Sequence, residues 1–142
     1  MPHIITKIER ADPAAVAGLA KFGSATVHEA QGRLGALNSR IKPIDRAMRV
    51  CGPAFTVLSA PRDNIMLQLA IHYAKPGDVV NGDADGLVVV RREDAAEVVK
   101  KCAAREDAEA GYIEAYKAGR TIIDVCNLEA VLKAKGLTTD LD

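Results

Sequence analysis

The sequence is poor in aromatic residues and long apolar runs, and it has no net charge. Aromatic side chains make up 4% of the 142 residues, and tryptophan is absent. No apolar run reaches the roughly 18 residues of a membrane-spanning helix, so no membrane association is expected. The 19 basic and 19 acidic residues balance. This balance removes the long-range attraction to nucleic acid that a basic surface provides.

Cysteine is also scarce. The three cysteines, Cys51, Cys102 and Cys126, are far apart, and none belongs to a C-x-x-C pair. An odd, scattered set predicts buried free thiols rather than a disulfide framework or a zinc site. Residues 1–7 contain no apolar signal-peptide segment, which favours a cytoplasmic protein.

Hydrophobic residues make up 49% of the chain, enough for a packed core. The length fits a single domain over residues 1–142. Helical periodicity and capping residues predict helices over residues 14–21, 26–31, 65–73, 93–118 and 128–135. Strands are predicted over residues 49–59, 79–80 and 87–90, a turn over 75–78 and a short extended piece at 122–125. The fold class is therefore mixed α/β.

Two helices carry more detailed expectations. Residues 65–73 are apolar almost all the way round, which predicts a largely buried helix capped by Asp63 or Asn64. The long helix over residues 93–118 is expected to bury one apolar stripe, formed by Ala96, Val99, Ala103, Ala110 and Ile113.

Short motifs do not define a site by themselves. Residues 28–32 read His-Glu-Ala-Gln-Gly, which lacks the second histidine of a zinc protease. Residues 83–86 read Asp-Ala-Asp-Gly, which lacks the later ligands of a calcium-binding EF-hand loop. Glu29 could act as a general base, whereas Asn64 has the simpler interpretation of a helix cap. Glu109 stands four residues after Arg105 and fits a solvated ion pair.

Three stretches together resemble one family. They are residues 23–33 (GSATVHEAQGR), residues 61–66 (PRDNIM) and residues 83–90 (DADGLVVV). They resemble the 4-hydroxy-4-methyl-2-oxoglutarate/4-carboxy-4-hydroxy-2-oxoadipate aldolases, whose fold the regulators of ribonuclease E activity share. The resemblance covers nearly the whole chain, and the first stretch favours the aldolase branch.

The resemblance implies a layered, swivelling β/β/α-type domain that assembles into homo-oligomers, either trimers or hexamers. This chain departs from the family pattern in its middle. It has one Pro-Gly-Asp-Val-Val turn, at residues 76–80, where the family has two turns with a long segment between them. The fold is therefore expected to be shortened by the loss of central strands and helices. The missing segment carries the family's metal-ligating aspartate and its Arg-Asp pair.

Three site residues carry over from the resemblance. Glu29 matches a glutamate near the active site and is the candidate catalytic residue. Asn64 matches a residue of the pyruvate pocket, and Glu109 matches a carboxylate that reaches a neighbouring subunit's metal through water. The implied reaction is a Mg²⁺- or Mn²⁺-dependent cleavage of a small oxo acid to pyruvate plus pyruvate or oxaloacetate. Without the central segment, we expect this activity to be weak or absent.

Two other hypotheses stay open. One is a non-catalytic binding protein like the ribonuclease E regulators, which keep the assembly without the full catalytic set. The other is an internally deleted chain joined at the repeated turn. Recovery of an RNA-degradation enzyme as a partner would favour the first, and an intact mass above that of the 142 residues would favour the second.

Overall fold

The computed structural model describes residues 7–58, 64–73 and 77–136. The helices are α1 (Pro13–Leu19), α2 (Ser24–Ala30), α3 (Ile65–Tyr73), α4 (Ala95–Lys117), α5 (Ile122–Val125) and α6 (Leu128–Ala134). The strands are β1 (Val50–Pro53), β2 (Val79–Gly82) and β3 (Leu87–Val90). This content confirms the predicted mixed α/β class.

The chain forms two compact units, Met1–Ala103 and Ala104–Asp142. The first contains the sheet, α1, α2, α3 and the beginning of α4, and the second contains the rest of α4 with α5 and α6. A single domain over residues 1–142 stays a prediction. No described helix combines the length and apolar character needed to span a bilayer.

The described strands form an antiparallel sheet in the order β1-β2-β3. Val79 stands opposite Val90, and Asn81 stands opposite Val88. All four are buried, so they form the core-facing side that strand alternation produces. Beyond β3, Ala36 makes an isolated antiparallel bridge to Val88, which covers part of that sheet edge.

The core of the first unit lies between this sheet face and the helices. Helix α1 packs on β1, and α2 packs on β2 and β3. The buried apolar residues are Ala11, Ala15, Leu19, Val27, Val79, Val88, Val90, Ala95, Val98 and Cys102. Helix α1 starts as predicted, because Asp12 Oδ1 accepts a hydrogen bond from the Ala14 N–H at 3.0 Å and Pro13 occupies the first turn.

Two strand predictions need correction. The strand expected over residues 49–59 is confined to Val50–Pro53, at an edge of the described sheet. Pro53 does not end the pairing, because the Ala54 N–H donates to the Asp78 carbonyl and the Ala54 carbonyl accepts from the Gly77 N–H, both at 2.7 Å. The strand expected to stop after Val80 continues to Gly82, because Asn81 finds buried partners for its amide. Of the predicted turn, residues 75 and 76 lie outside the described residues, as does Ser59.

The expected burial of α3 is wrong. Ile65, Leu67 and Ile71 are 64%, 47% and 67% exposed. An apolar sequence permits burial, but a helix is buried only where another surface packs along it. The predicted cap Asp63 lies outside the described residues, whereas Asn64 directly precedes the helix, and its carbonyl accepts from the Gln68 N–H at 3.0 Å.

The predicted stripe on α4 is displaced. The buried residues are Ala95, Val98 and Cys102, with Val99 packed beside them. Ala96, Ala103, Ala110 and Ile113 are exposed. The error came from alanine, which fits either face of a helix, and from omitting Cys102, which packs as a small apolar residue.

The extended piece expected at residues 122–125 is helix α5. Thr121 and Asp124 form a reciprocal capping box. The Asp124 N–H donates to Thr121 Oγ1 at 3.3 Å, and the Thr121 N–H donates to Asp124 Oδ2 at 3.0 Å. This local network outweighs the β-propensity of the adjacent isoleucines. The last predicted helix is present as α6.

Candidate functional site

The loop between β2 and β3 is bound to the first turn of α2. Gly23 stands at the N-cap of α2 and has no side chain to accept from the helix N–H groups. Asp83 supplies that acceptor from 59 residues away: Oδ2 accepts from the Ser24 N–H at 2.8 Å, and Oδ1 accepts from the Ser24 hydroxyl at 2.5 Å. A carboxylate at a helix N-terminus is favoured by the unsatisfied N–H groups and the helix dipole.

The environment of Asp83 stabilises its ionised form. Partial burial by itself raises the pKa of this carboxyl. The hydrogen bonds from the Ser24 hydroxyl, the Ser24 N–H and the Asp85 N–H oppose that effect, as does the nearby Arg49 charge. Their combined effect is a pKa below the usual aspartate value, so Asp83 is a fixed anion at neutral pH.

A cleft of about 170 Å³ opens beside this anchor; we call it the Arg49 cleft. Its lining residues are Ala20, Phe22, Arg49, Val50, Cys51, Asn81, Gly82 and Asp83. Burial raises the pKa of the Cys51 thiol, and a hydrogen bond with Asn81 only partly offsets this. Cys51 is therefore a neutral thiol and a poor nucleophile at neutral pH.

A second cleft of about 250 Å³, the His28 cleft, is also lined by residues of the loop. It is lined by Ser24, Ala25, His28, Ala36, Leu37, Asn38, Ser39, Asp85, Gly86, Leu87 and Val88. Its polar groups include one imidazole and one carboxylate among several apolar side chains. The two aspartates of the loop thus line different clefts, Asp83 with Arg49 and Asp85 with His28.

The segment that builds this site matches a known family. The model of the RraA-like family, described as Aldolase/RraA, matches residues 24–105, which is more than half of the chain. The protein belongs to the RraA-like family. The match begins at Ser24 and includes α2, the sheet, the Asp83 loop and the first part of α4.

Two individual proteins are similar to this RraA-like chain. A protein of Halalkalibacterium halodurans named "Putative 4-hydroxy-4-methyl-2-oxoglutarate aldolase" is 46% identical over 50 residues, which are 35% of this chain and 24% of that protein. The matched stretch thus spans about a quarter of the relative's length. The crystal structure of an uncharacterized protein from Pseudomonas syringae pv. tomato str. DC3000 superposes with a TM-score of 0.67 at 18% identity. The superposition covers 90% of this chain and 100% of that one, and it supports the fold alone.

Two of the three predicted site residues of the RraA-like protein form ion pairs. Glu29 lies in the last turn of α2, and its Oε1 is 3.8 Å from the Arg33 guanidinium. Asn64 is exposed at the start of α3. Glu109, in the second unit, forms the expected ion pair with Arg105 at 2.9 Å. Glu29 and Asn64 are not among the lining residues of either cleft.

Sequence reasoning missed the residues that organise this region. The sequence places Asp83 in a rejected calcium loop and in the family stretch 83–90, and it places Ser24 in the family stretch 23–33. Neither pattern predicts that the two residues are in contact. One signal could have identified them. Helix α2 begins at Ser24, two residues before the predicted start, and its N-cap Gly23 has no capping side chain. A glycine at this position favours an acceptor from elsewhere in the chain. The aspartates of residues 83–86 were candidates for that acceptor.

Removing the charge of Asp83 is expected to destabilise the protein in a pH-dependent way. A depressed folded-state pKa means that the stabilisation is present above the unfolded pKa of about 4 and is lost as the pH falls through the folded value. Urea titration should show Asp83→Asn to be about 1 kcal/mol less stable at pH 7, with the difference shrinking near pH 3. The exposed neighbour gives a control: Asp85→Asn should change stability by less than about 0.5 kcal/mol. Equal stabilities of the two variants at pH 7 would contradict the capping role.

Proposed function

We propose that this protein derives from the aldolase branch of its family and has a scaffold for small 4-hydroxy-2-oxo acids. The substrates are 4-hydroxy-4-methyl-2-oxoglutarate or 4-carboxy-4-hydroxy-2-oxoadipate, cleaved to pyruvate plus pyruvate or oxaloacetate. The family match over residues 24–105 and the printed name of the Halalkalibacterium relative support this assignment. Homo-oligomeric assembly and a cytoplasmic location belong to the same proposal.

Two residues of the first unit would act directly on the substrate. Glu29 would remove the proton from the tertiary 4-hydroxyl, and C4 would become the carbonyl carbon of one product as the C3–C4 bond breaks. The pyruvate enolate left behind becomes pyruvate when C3 takes up a proton. Asn64 would hold the oxo-acid group through its amide. Because Glu29 is paired with Arg33, it must exchange that partner for the substrate hydroxyl. Glu109 would support a neighbouring subunit.

A divalent cation does not fit the side chains of the described part of the chain. Mg²⁺ and Mn²⁺ need several oxygen ligands converging on one point. Among the described residues no three His, Cys, Asp or Glu side chains come together in this way. We therefore assign no catalytic step to a metal in this chain. Such a chain would lack a group that stabilises the developing negative charge on the enolate oxygen. Removing one such stabilising group slows a reaction by a factor of about 100 to 1,000.

The rate relative to a complete family member tests this proposal. We expect pyruvate release from 4-hydroxy-4-methyl-2-oxoglutarate to have a kcat/KM at least about 100-fold below that of the Halalkalibacterium relative under the same conditions. Coupled lactate dehydrogenase would report pyruvate, and Glu29→Gln would show whether the residual rate depends on Glu29. A kcat/KM within about tenfold of the relative would contradict the proposal.

A second candidate is a non-catalytic binding protein of the regulator type. It is favoured by the same observation, that the acidic side chains of the described residues do not converge. Its test is recovery of an RNA-degradation enzyme with the tagged protein, at a yield that Glu29→Gln leaves unchanged.

A further inference from the structure

The loop Asp83–Gly86 carries two aspartates and contributes lining residues to both clefts. The family's metal-ligating segment is missing from this chain. The two aspartates of this loop are therefore the first candidates for replacement ligands. Both side chains leave the same hairpin, and Asp83 is ionised at neutral pH. The question is whether Asp83 is available to a cation.

The hydrogen bonds of Asp83 show that it is already engaged. Oδ2 accepts from the Ser24 N–H at 2.8 Å, and Oδ1 accepts from the Ser24 hydroxyl at 2.5 Å and from the Asp85 N–H at 3.0 Å. A carboxylate has about four lone-pair positions, and three are used here by protein donors. One position remains, so Asp83 can offer a cation a single ligand position, and any further coordination would replace a bond that holds the first turn of α2.

Among the described residues, no group of three or more His, Cys, Asp and Glu side chains that could hold an ion includes Asp83, although the Asp85 N–H lies 3.0 Å from Asp83 Oδ1. Asp85 lines the His28 cleft, whereas Asp83 lines the Arg49 cleft. Asp78 stands at the other end of β2, five residues from Asp83. At about 3.3 Å per residue this is roughly 16 Å, whereas ligand oxygens around one ion lie only about 2–2.6 Å from it. Asp78 is also held by Arg92, whose N–H donates to Asp78 Oδ1 at 3.1 Å.

We propose that Asp83 acts as a tertiary cap that fixes α2 to the β2–β3 hairpin, and that this role withholds it from divalent cations. The described residues of one chain consequently bind neither Mg²⁺ nor Mn²⁺ at a specific site. The inference rests on the proposed function, because it explains why a chain with the scaffold of a metal-dependent aldolase is a slow one. The inference also assigns the Asp-Ala-Asp-Gly motif of the hairpin a structural role, although its sequence is similar to a cation-binding loop.

Calorimetric titration of the full 142-residue chain with MnCl₂ tests the metal half of the proposal. We expect no saturable site with a Kd below about 1 mM. The thermal midpoint should move by less than about 1 °C when 1 mM Mn²⁺ is added, since a ligand that does not bind the folded state cannot stabilise it. A saturable site tighter than that limit would overturn the inference, whatever its ligands.

Paired variants test the capping half. Asp83→Asn should lower the thermal midpoint by about 2–5 °C, whereas Asp85→Asn should lower it by less than about 1 °C. Equal midpoints would overturn the capping role. The metal titration uses the unaltered chain, so it stands even if Asp83→Asn does not fold. Fast pyruvate release without Mn²⁺ binding would contradict the proposed function alone, and a Mn²⁺ site with slow release would contradict this inference alone.

Discussion

Gly35→Ala is expected to destabilise the protein by about 2–4 kcal/mol. Gly35 has φ +76°, a conformation that costs an L-residue about 1–2 kcal/mol. A Cβ at this position would also collide with the backbone oxygen of Val89 and the side-chain amide of Gln31. Because the Val89 N–H donates to the Gly35 carbonyl at 2.9 Å, the collision would push this segment away from β3. Urea unfolding of both proteins would measure the loss.

A matched control separates the collision from the backbone conformation. Gly32 has φ +78°, but a Cβ there would meet nothing within 4 Å. Gly32→Ala should therefore cost only the conformational part, about 1 kcal/mol. If the two variants lost the same stability, the close contact between residues 31–37 and β3 would be refuted.

The second large effect is expected from Asn81→Ala, which should cost about 2–3 kcal/mol. Asn81 is 3% exposed and stands in the core-facing row of β2. Its Nδ2 donates to the Leu19 carbonyl at 3.0 Å and to the Phe22 carbonyl at 3.3 Å. These two carbonyls lie at and just after the end of α1, and that of Leu19 also accepts from the Phe22 N–H at 3.1 Å. Alanine would leave them buried with fewer donors, which equilibrium unfolding in urea would detect.

Asn81→Asp tests the direction of the bond, because it keeps the shape and replaces the donor with an oxygen. At pH 7 the carboxylate would face two carbonyl oxygens, so the variant should be less stable than Asn81→Ala. Its folded-state pKa should be raised, and its stability should therefore recover as the pH falls and the carboxyl regains a proton. Wild-type stability of Asn81→Asp at pH 7 would contradict the assigned donor.

Elements with strong local signals could be predicted from the sequence. Asp12 and Pro13 define the start of α1, and the pattern of residues 93–118 identifies α4 to within two residues at its beginning. The errors occurred where tertiary contacts decide. The apolar sequence of α3 did not reveal whether a surface packs on it, and Asn81 resembled a strand breaker until its buried partners were known. Helix α5 was missed although its capping box is visible in the sequence.

The candidate site was less predictable than the fold. Glu29, Asn64 and Glu109 come from the family resemblance, and their proposed roles stay predictions. The Ser24–Asp83 contact joins residues 59 positions apart, and no local pattern specifies such a pair. The two sides of the loop also have different surroundings, because strand pairing and the position of α2 determine which cleft each aspartate faces. That information depends on the three-dimensional structure.

The positions of the carboxylates connect the fold with the proposed function. Asp83, in the motif that is similar to a cation-binding loop, accepts hydrogen bonds from the first turn of α2. Among the described residues, no three His, Cys, Asp or Glu side chains come together as a set of metal ligands. Under the proposed function, such a scaffold would bind a small acid through hydrogen bonds and would lack the positive charge that stabilises an enolate. Slow turnover is the consequence we expect.

The most direct measurement is pyruvate release by the same folded preparation with and without Mn²⁺. Circular dichroism in both buffers would establish that the chain is folded, and the Halalkalibacterium relative would serve as the positive control. We predict that Mn²⁺ changes the expected slow rate by less than about twofold, because the described residues contain no assembled set of ligands for the ion. A Mn²⁺-dependent increase of about tenfold or more would contradict the account and show that the chain completes a metal centre.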